Sequence, residues 1–182
     1  MKKLVVLALS LFAAVTVSNA QVCALKSNTL ALGTGSINLA AEFSIAPQWT
    51  IDLSGMGTIF SPWKNVGGNG NGLYLNGWSA VAEGRYYLCR AFNGHHFGAF
   101  GEIARYGRGG NVPLAADDVY NNVKMIGIGV SYGYYFKLNT YWGIDTNIGV
   151  GPGLGTTDAH NGGKDWVFKP VGRAQVSVCY KF

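Results

Sequence analysis

Few side chains in this sequence are both reactive and arranged for chemistry. Gly129-Val130-Ser131-Tyr132-Gly133 has the G-x-S-x-G spacing of a nucleophile elbow. Such an elbow sets its serine at a sharp break between a strand and a helix. Here every second residue stays apolar through Tyr134 and Phe136, so the strand continues and Ser131 reads as a strand residue. Gly149-Val150-Gly151-Pro152-Gly153-Leu154-Gly155 has the composition of a phosphate-cradling loop. No helix start follows it to aim backbone N–H groups at an anion. His95 and His96 are adjacent, and neighbouring strand residues point to opposite faces, so they cannot hold one ion together. They read as solvated turn residues. Ser61, Asp117, Asp118, Asp158 and His160 are the groups available to a lipid-modifying enzyme at a barrel's outer rim, but their spacing fixes no geometry. The sequence therefore assigns no catalytic, metal-binding or cofactor-binding residue, and no cofactor is expected.

The charged residues are more informative. Asp117, Asp118, Asp158 and Asp165 fall in long polar links. The other acids, Glu42, Asp52, Glu83, Glu102 and Asp145, all lie in alternating segments, on the face opposite the apolar side chains. Lys26, Arg85 and Arg173 share that parity, with Lys169 and Lys181 at its two ends. Charges removed from water must be paired and hydrogen-bonded, because desolvation is expensive. The pattern predicts an interior charge network of Lys26, Glu42, Asp52, Glu83, Arg85, Glu102, Asp145 and Arg173.

The elements that would carry this network are eight segments of period two. They run about Cys23–Leu32, Ile37–Ile45, Trp49–Phe60, Leu73–Leu88, Phe97–Tyr106, Val123–Phe136, Trp142–Val150 and Val167–Phe182. Segments of about 9–11 residues cross a hydrocarbon layer as tilted strands. The links alternate in length. Ala46-Pro47-Gln48, Cys89–His96 and Lys137–Tyr141 are short, whereas Ser61–Gly72, Gly107–Asn122 and Gly151–Trp166 are long and rich in glycine. Gly33-Thr34-Gly35-Ser36 is the one short link on the long-link side.

Two barrels fit this alternation. A soluble, lipocalin-like barrel would turn Ile126, Ile128, Val130 and Tyr132 inward, leaving glycine, serine and lone charges as its wetted surface. A membrane barrel turns the apolar face to lipid and encloses the small polar face, which suits a narrow eight-strand interior. Charged residues make up 13% of the chain, about half of the usual ~25%, which favours the membrane form. Aromatic residues mark both edges: Trp49, Phe97, Trp142 and Tyr180 at the short turns, Phe60, Trp78 and Trp166 at the long links. Tyr and Trp favour that boundary, having an apolar body and a polar tip. The last strand ends on Val178, Tyr180 and Phe182, the barrel-closing C-terminal signal that barrel-assembly machinery would meet during insertion.

At the other end, Lys2-Lys3, an apolar run to Val17 and Ser18-Asn19-Ala20 form a secretory signal expected to be cut after Ala20. The net charge of +5 is small, scattered and partly carried by that signal, which excludes nucleic acid as a partner. Cys23, Cys89 and Cys179 are an odd set for an exported protein. A Cys23–Cys179 bridge is conceivable because first and last strands must pair, but their parity is opposite, which favours free thiols.

Ala24-Leu25-Lys26-Ser27-Asn28, Glu83-Gly84-Arg85-Tyr86-Tyr87-Leu88 before a Cys-Arg turn, and Phe92-Asn93-Gly94-His95 carry a resemblance. With Val130-Ser131-Tyr132-Gly133-Tyr134 and Gly149-Val150-Gly151, they resemble an uncharacterised Bacteroidota family of small outer-membrane barrels, a domain of unknown function. The likeness covers nearly all of the chain beyond the signal and supplies no catalytic residues. It implies an assembly or anchoring role near surface fimbriae.

The expectation is an all-β protein: a cleavable signal peptide, 1–20, then an eight-stranded antiparallel transmembrane β-barrel, 21–182. It would lie in the outer membrane of a Gram-negative bacterium with both termini periplasmic. The expected function is non-enzymatic, with a side-chain-filled lumen and the three long links as contact sites. Its partners would be membrane lipid, the assembly machinery and an extracellular or fimbrial protein. The alternatives are the outer-rim lipid enzyme and a narrow, porin-like pore.

Overall fold

The computed structural model describes residues 22–60, 74–109, 123–158 and 164–182. The expected signal peptide lies outside the described residues. Eight strands follow in order: β1 Cys23–Asn28, β2 Ser36–Ala46, β3 Trp49–Thr58, β4 Tyr74–Tyr87, β5 Gly94–Gly109, β6 Val123–Lys137, β7 Trp142–Asp158 and β8 Lys164–Lys181. Each pairs antiparallel with the next, and β1 pairs with β8, so the sheet closes into a barrel without a free edge. Cys23 N–H donates to the Phe182 carbonyl at 3.3 Å and Phe182 N–H donates back to the Cys23 carbonyl at 3.0 Å. The seam therefore closes on the last residues of β8.

Two departures from the sequence expectation are the largest. The first segment does not continue to Leu32: β1 stops at Asn28 and one helical turn, α1, spans Thr29–Gly33. Local side chains account for the break. Asn28 Oδ1 accepts from Leu30 N–H at 3.1 Å and from Val176 N–H at 3.1 Å. Asn28 Nδ2 and the Thr29 hydroxyl donate to the Ala174 and Val176 carbonyls of β8. Side chains thus replace ladder bonds where the backbone leaves the sheet, as asparagine and threonine do at helix starts.

The second departure is the last long link. The sequence predicts an irregular Gly151–Trp166, yet β7 runs to Asp158 and β8 starts at Lys164, with Asp158 opposite Lys164. Pro152 and Pro170 face each other in this register, so both missing N–H groups fall at one place in the ladder. Pairing runs unbroken past them, through Gly153 with Lys169 and Leu154 with Phe168.

The short connections include Pro47-Gln48 between β2 and β3 and residues 88–93 between β4 and β5. In the second, Phe92 has φ 61 and Gly94 φ 75. A bulky residue in the left-handed region is held there by its surroundings, and Phe92 is 3% exposed.

Candidate functional site: the lumen

The barrel is greasy outside and charged inside. Leu39, Ile128, Val130 and Ile148 are between 63% and 66% exposed, whereas Glu42 and Arg85 are 0% and Asp52, Glu83 and Asp145 are 1%. This is the reverse of a soluble barrel, in which the aliphatic face would be the dry one. The alternation puts residues of one parity on each face, and closure then seals one face from water.

Two cations organise the buried charges. Lys26 Nζ of β1 lies 2.5 Å from Glu42 Oε2, 2.5 Å from Asp52 Oδ2 and 3.0 Å from Asp145 Oδ2. Arg85 of β4 forks. Its Nη1 lies 2.7 Å from Asp145 Oδ2 and 3.2 Å from Glu42 Oε2, and its Nη2 lies 2.8 Å from Glu83 Oε2. Strands β1, β2, β3, β4 and β7 are tied together through these two side chains. Arg173 of β8 joins through Glu83 Oε2 at 3.1 Å. Neutral donors add to this at Glu42 and Glu83. The Thr50 and Tyr87 hydroxyls donate to Glu42 Oε1, the Ser131 hydroxyl donates to Glu83 Oε1, and Asn147 Nδ2 donates to the same carboxylate. His96 Nε2 lies 2.9 Å from Asp145 Oδ1. An ionised carboxylate only accepts, so Nε2 carries the proton of that bond.

Aromatic side chains close the lumen on the short-turn side of the charges. Tyr87, Phe92 and Tyr135 are 0% to 3% exposed and pack with Ala24 and Cys179. Phe92 meets Tyr135 edge-on with centroids 5.8 Å apart and Tyr87 at 6.2 Å. On the other side, Phe100 and Val171 fill the space left by glycines. A Cβ on Gly129 would stand 2.5 Å from Phe100 Cζ, and one on Gly127 would stand 2.6 Å from Val171 Cγ1. Arg173 lies over the Phe100 ring at 5.2 Å, linking the two levels.

Of the eight residues proposed for an interior network, Lys26, Glu42, Asp52, Glu83, Arg85 and Asp145 are brought into one layer, and Arg173 reaches it from the side. Glu102 is buried nearer the long links, opposite Gly127. Lys169 is exposed and Lys181 half-buried. Val178, Tyr180 and Phe182 point outward, with Tyr180 5.0 Å from the Trp142 ring. Ser131 is a lumenal strand residue, and Gly149–Gly155 lies within β7. The cysteines are free: Cys23 pairs with Phe43 of β2 while Cys179 sits opposite Lys26, and their side chains lie on opposite faces. Ser61, Asp117, Asp118 and His160 lie outside the described residues.

Sequence reasoning misses His96. It reads as a solvated turn residue, but β5 begins at Gly94, and His96 is fully buried on the face of Glu102. Starting the strand three residues earlier would place it there by parity. In the aromatic cap, Tyr87 and Tyr135 share the parity of the enclosed face, whereas Phe92 has no comparable signal, because it belongs to a turn.

A closed antiparallel barrel with an aliphatic exterior and an ion-paired, side-chain-filled interior is a barrel of the outer-membrane type. The chain belongs to the family DUF3575, described as a protein of unknown function, whose model matches residues 5–168. The sequence resemblance to a family of unknown function is thereby met; its taxonomic part is not addressed by the match. No curated protein matches the chain. Among solved structures, it is similar to the crystal structure of a major outer membrane protein from Thermus thermophilus. The two share 10% identity with a TM-score of 0.44, over 90% of this chain and 100% of that one.

Proposed function

We propose that this protein is a non-enzymatic, non-conducting barrel of the Gram-negative outer membrane, exported by its N-terminal signal, with short turns and both termini facing the periplasm. One observation carries the reading: the lumen is closed twice in series. A charge layer at 0% to 3% exposure is followed by the Tyr87, Phe92 and Tyr135 cap at 0% to 3%. Water does not reach these side chains, so the lumen offers neither an ion path nor a substrate pocket at that level. Function then falls to the rims and the outer wall, where loops meet other envelope components. An anchoring role beside surface fimbriae, which the family resemblance implies, would use links whose tips lie outside the described residues.

Two measurements test this. Fractionation should recover the protein with outer membranes, and purified barrel in planar bilayers should give no conductance steps. Discrete steps from wild-type protein would overturn the closed-lumen reading.

A further inference from the structure

Three cations converge on one cavity at the short-turn rim. Arg90 comes from the turn after β4, Lys137 ends β6 and Lys181 ends β8, around a space of about 480 Å³. Lys26, Arg85 and Arg173 are all ion-paired in the lumen, but none of these three has an ion-pair partner among the described residues. No acidic side chain among the described residues lines the cavity; cations so clustered repel one another, and their arrangement is stabilised when an anion is shared between them.

The cavity is built as well as charged. Lys181 Nζ lies 5.9 Å from the Phe92 centroid and 5.8 Å from that of Tyr135. Those two aromatic faces hold the ammonium at the cavity wall. Asn93 and Thr140 add neutral hydrogen-bonding groups to the lining. The side chains of Val22, Tyr141 and Phe182 add apolar surface to the wall. Tyr141 and Trp142 pack against Tyr180, at 6.2 Å and 5.0 Å, just outside it. Such aromatic belts sit at headgroup depth. A free anion would use the cations and leave the apolar wall idle. A phosphate tethered to acyl chains uses both.

We infer that this cavity binds the phosphate of an anionic phospholipid from the leaflet at the short-turn rim. Arg90, Lys137 and Lys181 take the charge, and Asn93 and Thr140 take the glycerol and ester oxygens. The inference rests on the membrane placement proposed above.

The test is native mass spectrometry of the detergent-purified full barrel with dioctanoyl phosphatidylglycerol, dioctanoyl phosphatidylcholine or inorganic phosphate. Phosphatidylglycerol should be retained in preference to phosphatidylcholine. The triple variant Arg90→Gln, Lys137→Gln, Lys181→Gln should bind it about a hundredfold more weakly, at roughly a fivefold loss per surface cation. Arg90 and Lys137 are exposed and Lys181 lies at a strand end, so the variant should fold, which faster migration of the unheated protein would verify. Equal retention of the two lipids, unchanged retention by the folded triple variant, or displacement by equimolar inorganic phosphate would overturn the inference. Carbonate extraction of the same membranes separates the two claims. Release of the wild type would overturn the membrane reading and this inference with it, whereas resistance without lipid preference would overturn this inference alone.

Discussion

The two halves of the lumen are filled by different means. Toward the short turns, Lys26 and Arg85 each touch three or more carboxylates, and a buried aromatic cap lies beyond them. Toward the long links, Phe100 and Val171 are set against glycines, Glu102 is the buried carboxylate, and Arg173 is the guanidinium at the boundary. One half is held mainly by charge and the other mainly by shape. The comparison teaches that buried charge in a narrow barrel is tolerable where every carboxylate of the layer meets a buried cation. Elsewhere small residues and one ring occupy the space at less cost.

The sharpest way to break this contrast is to remove one cation from within the charge layer and one from its boundary. Arg85→Met should destabilise the barrel by about 3–5 kcal/mol, because it strands carboxylates that no water reaches. Arg173→Met, losing one charged contact from a side chain 7% exposed, should cost about 1.5–3 kcal/mol. Urea unfolding in lipid vesicles measures both, and equal losses would remove the distinction between the halves.

A smaller effect tests shape. Gly129→Ala should cost about 1–3 kcal/mol, since its Cβ would press on Phe100 and the Val150 carbonyl. Gly84→Ala on the outer wall, with nothing within 4 Å of its Cβ, should stay within about 0.5 kcal/mol. The same unfolding series reports both.

Phe92 separates packing from backbone strain within the cap. Phe92→Gly and Phe92→Ala remove the same ring contacts, but only glycine is at ease at φ 61. The glycine variant should be more stable than the alanine variant by about 1 kcal/mol. The reverse order would show that the turn is unstrained. The smallest effect belongs to the exposed Cys89, where Cys89→Ser should change stability by under about 0.5 kcal/mol.

How much of this could be read beforehand depended on the range of the interaction responsible. Face assignment was legible because it needs only a period of two: Glu42, Asp52, Glu83 and Asp145 sort inward by parity alone. The strand ends were not. Gly151-Pro152-Gly153 reads as a loop until its partner is known, and β8 supplies a facing Pro170 that lets pairing continue to Asp158. The helical turn after Asn28 was hidden for a similar reason, since Leu30 and Leu32 prolong the alternation while Asn28 and Thr29 bond to β8. His96 and Phe92 depend on where a turn folds back under the mouth. No local pattern encodes that position.

The central claim is that the aliphatic face meets lipid while the charges are sealed within. Nitroxide labels at Leu39→Cys, Ile128→Cys, Val130→Cys and Ile148→Cys, with the native cysteines replaced by alanine, test it directly in reconstituted bilayers. All four positions should collide with dissolved oxygen far more often than with a water-soluble nickel chelate. Greater collision with the chelate at those four sites would contradict the membrane-spanning barrel.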